Sequence, residues 1–309
     1  ANEAKNVDPL PANVVTDTES ESVYGAVTGT ATTGVPVIDV FEDFQCPACK
    51  QVEDALGSTL AELGESGDYA FEMSVGYDLA GLKSPTMDAF IRGMLDVGPA
   101  LEKLRAEIPE AFAAQREVPV ATRLFQHVTL STFHGCPPDE IEGIVEHMME
   151  TYDLDVTVKL NPTLLGIEAV SEILHDRLGH KEVELDPAVF AADLQFDRAL
   201  AMIQRLRDFA AARGREFGLK LTNTLVVKNT RSVMPGESMY MSGKPLHLMA
   251  MALLERLHRA LPGQLRIAGQ DGPIPVAFSA GIDKDNVAEA VALGLAPVTI
   301  CSDLLKPGG

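Results

Sequence analysis

Four segments of this chain share one design, a short apolar strand pattern that stops abruptly at small or amide-bearing residues. They are 156–163 (VTVKLNPT), 218–225 (GLKLTNTL), 276–282 (VAFSAGI) and 298–305 (VTICSDLL). A parallel β/α barrel builds its site in this way, because its functional groups sit at the C-terminal ends of successive strands. The expected fold class is therefore α/β, a TIM-type barrel with a cofactor-sized site on one rim.

The intervening segments fit that plan. After Pro137-Pro138-Asp139, residues Ile141, Ile144, Val145 and Met148 share a helical face. Leu200, Ile203, Leu206 and Ala210 do so within 197–213, and Met249, Leu253, Leu257 and Leu261 within 245–261. Further helices are expected from Pro85 to about Arg105, at 166–178 and at 284–293, with 109–120 an irregular connection. Strands are expected at 35–41, 71–75, 127–130, 155–160, 218–225, 275–279 and 297–301. Strands alternating with helices predict a mainly parallel sheet. About six strands come from residues 69–309, and 35–41 would add a seventh at the same rim. Residues 1–34, rich in Thr, Ser, Asn, Gly and acids, read as a mobile leader. The chain stops at Pro307-Gly308-Gly309, where a barrel needs its last helix, so a truncated end is expected.

Composition narrows the partners. The 309 residues are 46% hydrophobic, enough to bury a large core. Against 25 basic residues stand 45 acidic ones, and a formal charge of −20 repels phosphate backbones and anionic membranes. Neither nucleic acid nor a membrane is expected as partner. No apolar run approaches the roughly 20 residues of a membrane helix.

At the strand ends, Lys159 interrupts an apolar strand and is expected to find an anionic or carbonyl partner in the barrel. Lys220 repeats the arrangement. Asn161, Asn223 and Thr224 carry short donor and acceptor groups suited to the edge of a planar heterocycle. Ser279, Gly281 and Ser302 follow the last two strands, where barrels commonly hold a phosphate. The alternative for each residue is that it only satisfies strand-end backbone. Cys136, beside His134 and just ahead of a helix N-terminus, is placed for a thiolate acid or base, with inert burial as the alternative. Cys301 reads as core packing within a strand, and no metal site is expected.

Those residues carry a family resemblance. FEMSVGYDL (71–79), TLSTFHGCPPDEIE (129–142), VKLNPTLLG (158–166), KLTNTL (220–225), PGESMYMSG (235–243) and CSDLLKPGG (301–309) resemble the bacterial selenate reductase iron–sulfur subunit family. That family is related to dihydropyrimidine and dihydroorotate dehydrogenases. The resemblance implies FMN on the rim, hydride transfer at flavin N5 with a small-molecule substrate, and electron exchange with iron–sulfur modules elsewhere. Carried over by position, Lys159 faces the flavin ring, Asn223 and Thr224 the substrate or flavin edge, Gly281 and Ser302 the phosphate, and Cys136 the acid/base position. Three departures stand out. The segment before residue 70 lacks the family's first strands, Asp78 stands where relatives place Asn, and no four-cysteine spacing is available for a cluster.

In place of those strands, 35–50 (VPVIDVFEDFQCPACK) resembles the opening of a DsbA-type thioredoxin domain; the resemblance covers about residues 1–68, with the thioredoxin-like β/α segment at 35–68. Cys46 would be the attacking thiolate and Cys49 the resolving one. Three readings follow. One is an FMN-dependent oxidoreductase barrel, part of a larger electron-transfer enzyme; the second is a thiol–disulfide oxidoreductase through Cys46 and Cys49; the third is a non-catalytic barrel scaffold. The barrel implies a cytoplasmic protein, the DsbA-like piece an extracytoplasmic one.

Overall fold

In the computed structural model, residues 72–132, 136–231, 235–301 and 303 are described, together with the backbone of Ile38–Asp39. Cys46, Cys49, His134, Ser302, the expected leader and the rest of the thioredoxin-like segment lie outside these residues.

Strand β1 is Ile38–Asp39 and β2 is Met73–Val75. Three helices follow, α1 (Leu79–Leu82), α2 (Pro85–Leu95) and α3 (Gly98–Glu107), then a 3-10 stretch at Glu110–Glu117. The single helix expected from Pro85 to Arg105 is thus divided. Asp96 Oδ1 accepts from Gly98 N at 3.1 Å and Val97 N donates to Thr122 O at 2.8 Å, so the backbone there bonds outside a helical ladder. Asp78, which stands where relatives place Asn, is the N-cap of α1, its Oδ1 accepting from Gly81 N at 2.6 Å.

From β3 (His127–Ser131) the alternation is regular: α4 (Pro138–Tyr152), β4 (Asp155–Leu160), α5 (Ile167–Ser171) running into a π turn at Glu172–Arg177, α6 (Pro187–Ala192) and α7 (Phe196–Ala211). Then come β5 (Phe217–Leu221), β6 (Leu225–Lys228), β7 (Ser238–Met241), α8 (Lys244–Ala260), β8 (Leu265–Ile267), β9 (Gln270–Asp271), β10 (Ile274–Phe278), α9 (Val287–Ala292) and β11 (Val298–Thr299). Residues 218–225 are not one strand. The chain leaves the sheet after Leu221 and re-enters at Leu225 in an antiparallel hairpin, β6 with β7.

The main sheet runs β1-β11-β10-β5-β4-β3-β2, with every neighbour along that path parallel. This is chain order bent round until the first strand lies beside the last, the order of a β/α barrel. Ile38 pairs with Val298 and Asp39 with Thr299, so the 35–41 segment does supply the seventh strand. Among the described residues β1 and β2 are not paired.

Each strand has an apolar and a polar face. Val128 and Leu130 of β3, Val156, Val158 and Leu160 of β4, and Leu219 and Leu221 of β5 are buried. That face meets α4 and α7, whose Ile141, Ile144, Val145, Met148, Met202, Ile203 and Leu206 are also buried. The opposite face, the barrel interior, is unusually polar. One register row crosses Ser131, Lys159, Lys220 and Ala277, and the next crosses Ser74, Thr129, Thr157 and Gly218. Barrels usually fill these layers with Val, Ile and Leu.

Candidate active site

The C-terminal ends of β3, β4 and β5 are tied together by one side chain. Asn223 Nδ2 lies 3.0 Å from the carbonyl of Thr132, 3.0 Å from that of Lys159, 3.1 Å from Thr132 Oγ1 and 2.8 Å from Asn161 Oδ1. Carbonyls only accept, so the nitrogen must face them and Oδ1 is left without a hydrogen bond among the described residues. Thr132 Oγ1 donates in turn to Lys159 O at 2.8 Å. Asn161 has both amide groups engaged, because its Nδ2 donates to Asp193 Oδ2 at 3.2 Å. Thr163 Oγ1 donates to the same oxygen at 2.6 Å. Asp193 is only 4% exposed, and its buried charge is held by hydrogen bonds in place of a solvent shell.

Lys159 and Lys220 are register partners on β4 and β5. The carboxylate or carbonyl expected for Lys159 is not bonded to it among the described residues. Burial, and then the neighbouring Lys220 ammonium, push its amine down to about 8, with Cys301 opposing weakly. An amine of this kind holds or releases a proton near neutral pH. Lys220 is 1% exposed and completely enclosed. Below the pair, Glu72 Oε1 contacts His127 Nδ1 at 2.5 Å, and His127 Nε2 contacts Thr157 Oγ1 at 2.7 Å. Burial raises the Glu72 carboxyl, but His127 and Lys220 bring it below 4.5. Burial lowers the His127 imidazole, but Glu72 and then Asp155 and Glu216 carry it above 6.5.

Cys136 is brought near this rim, in electrostatic reach of Asp193, but not as a thiolate. Burial pushes its thiol up to about 12, with Glu140 and Asp193 adding to the effect. Cys301, expected in a strand core, is exposed and lies beyond the end of β11.

The other half of the rim is a cavity of about 380 Å³ lined by Ser242, Gly243, Lys244, Gly281, Ile282, Asp283 and Asp303. Gly281 has φ +57°, and a Cβ there would lie 2.6 Å from the carbonyl oxygen of Gly243. Only glycine lets the β10 loop pass this close to the start of α8. Lys244 Nζ pairs with the buried Asp283 at 2.6 Å, which holds the carboxyl below and the ammonium above their ordinary ranges. Ser279 bridges the halves, its N–H donating to Leu221 O at 2.6 Å. Thr224 is half-buried at the entry to β6.

Thr132, Asp193, Lys244 and the Glu72–His127 pair escape the sequence reading. Lys244 had a usable signal, since it opens a helix directly after Met241-Ser242-Gly243 and ahead of Pro245. The others are joined only by tertiary contact.

A parallel barrel with polar groups collected on its strand ends and in its interior is a TIM-barrel domain of the enzyme kind. The chain belongs to the family described as "Oxidoreductase YgfK, N-terminal TIM-barrel domain", whose model matches residues 52–309. It is 38% identical over 260 residues to the protein named "Putative oxidoreductase YgfK" of Escherichia coli strain K12, and equally to its namesake in Escherichia coli O157:H7. Each match covers 78% of this chain and 24% of the relative, so the chain spans about a quarter of the length of these curated relatives. Among solved structures, DHODH from Eimeria tenella aligns in complex with ferulenol (15% identity, TM-score 0.31) and ligand-free (17%, 0.30). Each covers 67% of this chain, and 58% and 60% respectively of the DHODH chains. No helix among the described residues is long and apolar enough to cross a membrane.

Proposed function

We propose that this domain binds FMN across the C-terminal rim and transfers hydride to or from a small planar substrate, as the barrel module of a larger electron-transfer enzyme. The observation that carries the reading is the pairing of two groups at the strand ends. Lys159 offers an amine free of any carboxylate bond among the described residues, and Asn223, held to the Lys159 backbone carbonyl, keeps an unengaged amide oxygen. Together with Thr132 they are a donor and acceptor set of the type a flavin edge requires. Membership of an oxidoreductase family supports the same reaction class.

FMN, when bound, supplies the hydride chemistry. The protein's part is positioning and proton handling. Asn223, fixed by two backbone carbonyls, orients the ring edge, and Lys159 Nζ holds or releases a proton there. Cys136 Sγ, kept protonated by burial, serves as a proton donor and not as a nucleophile. Gly281 gives backbone access at the second half of the rim, and at the start of α8, where Pro245 has no N–H and the Leu246 N–H is taken by Gly243 O, Lys244 is the group that a phosphate would share with Asp283. Iron–sulfur centres belong on partner modules.

The test is an FMN titration of the purified chain by visible absorption. Uptake with a shifted flavin band, weakened on the order of tenfold in Lys159→Ala, is the expected result. A protein that takes up no FMN overturns the reading.

A further inference from the structure

The side-chain nitrogen of Asn223 has two hydrogens to share among four oxygens, and the nearest of these is Asn161 Oδ1 at 2.8 Å. The way Asn161 is turned therefore decides the shortest bond that holds Asn223. Asn161 Nδ2 lies 3.2 Å from Asp193 Oδ2. A carboxylate has no hydrogen to give, so the nitrogen faces Asp193 and the oxygen is left for Asn223. Turned over, Asn161 would set its oxygen against the carboxylate and its nitrogen against that of Asn223. Thr163 Oγ1 donates to the same Oδ2 at 2.6 Å, and Asn161, Thr163 and Asp193 are all buried, where solvent is poorly placed to replace a lost bond. Asp193 is itself fixed from outside the strands. It follows α6, its N–H donating to Val189 O at 3.0 Å and its carbonyl accepting from Gln195 Nε2 at 2.7 Å.

We propose that Asp193 is a positioning residue for the rim: acting through Asn161, it locks the Asn223 amide with its nitrogen inward, so that the site presents an acceptor, Asn223 Oδ1, to the ring bound there. The Thr132 and Lys159 carbonyls require the same turn of the amide, and Asp193 secures its shortest bond. A ring edge carrying an N–H or O–H meets that oxygen with a hydrogen bond, whereas an edge of carbonyl oxygens alone is repelled. The inference deepens the proposed function and rests on it only for what the presented oxygen meets.

The test needs no flavin. With isotopically labelled asparagine in the whole chain, nuclear magnetic resonance reads the side-chain amide signals of Asn161 and Asn223, each assigned by its loss in a single Asn→Ala variant. In Asp193→Ala the Asn223 amide is expected to shift and to exchange its hydrogens on the order of tenfold faster, through Asn161 alone. Asp193→Asn, whose amide can turn either end to Asn161, is expected to move the same signal part of the way, and it serves where the alanine variant does not fold. Thr163→Val removes the other bond to Oδ2 and is expected to leave Asn223 in place. A carboxylate that only stabilised the loop after β4 would lower Tm on removal without moving the Asn223 signal. That result in Asp193→Ala, or in Asp193→Asn where only that variant folds, overturns the proposal, and so does a Thr163→Val that moves Asn223 as far. Because the amides are read without FMN, failure here is separable from failure of the flavin titration.

Discussion

The side-chain amide of Asn223 reaches the carbonyl of Thr132 at 3.0 Å, although β4 stands between the strands that carry them. One residue thereby spans three strand ends, which makes it both a structural tie and a part of the rim. Removing it takes a donor from the Thr132 carbonyl, while Lys159 O keeps the Thr132 hydroxyl, at a cost of about 1–3 kcal/mol. Asn223→Asp is expected to be worse than Asn223→Ala in a urea melt, because it sets a carboxylate against two carbonyls that only accept. Equal loss in both variants would show that the tie contributes little.

Gly218 is a packing requirement of the polar interior. A Cβ there would lie 2.6 Å from Thr157 Oγ1 and 3.1 Å from Pro275 Cγ. Gly218→Ala is expected to destabilise by about 1–3 kcal/mol. Adding Thr157→Ala should recover part of that loss, which a double-mutant cycle of melting curves would measure.

The Glu72–His127 pair has a defined pH window. The Glu72 carboxyl is held below its ordinary 4.5, so its contribution is present above 4.5 and lost as pH falls through its lowered value. The His127 imidazole is held above its ordinary 6.5, so its contribution is full below 6.5 and fades as pH rises through its raised value. The stability advantage of the wild type over His127→Gln is therefore expected to be greatest between 4.5 and 6.5, and Tm measured across pH for both proteins checks it. A difference that grows steadily above 6.5 would contradict the pairing.

Two described thiols should differ in reactivity. Cys136 is 4% exposed with its thiol pushed up to about 12, whereas Cys301 is exposed. Iodoacetamide at neutral pH is expected to label Cys301 at least about tenfold faster than Cys136, and unfolding should remove the difference. Prompt labelling of native Cys136 would mean that burial does not control it.

The barrel was readable because β3 and β4 alternate polar and apolar residues strictly, His-Val-Thr-Leu-Ser and Asp-Val-Thr-Val-Lys-Leu, and because the helices between strands carry clear apolar faces. The break at 222–224 was not. Leu225-Val226-Val227 resumes the apolar pattern at once, so Thr222-Asn223-Thr224 reads as part of one strand, whereas the chain there leaves the sheet to pair β6 with β7. The division of the 85–105 helix did leave a mark, Gly98-Pro99, which suits a helix start better than a helix interior. Strand position alone marks Lys159 and Asn223, which the fold sets on β4 and just after β5. The state of Cys136 was misjudged because a helix N-terminus is visible in sequence, whereas burial and the nearness of Asp193, 57 positions away along the numbering from Cys136 to Asp193, are not.

Ile38 pairs with Val298, so strands from opposite ends of the described chain stand side by side in the sheet. Every other parallel neighbour along the path from β2 to β11 follows its partner in chain order and can form as synthesis proceeds. The β1–β11 contact cannot begin until β11 has emerged. Until that moment β1 has no partner strand among the described residues, and it has to be kept from pairing elsewhere.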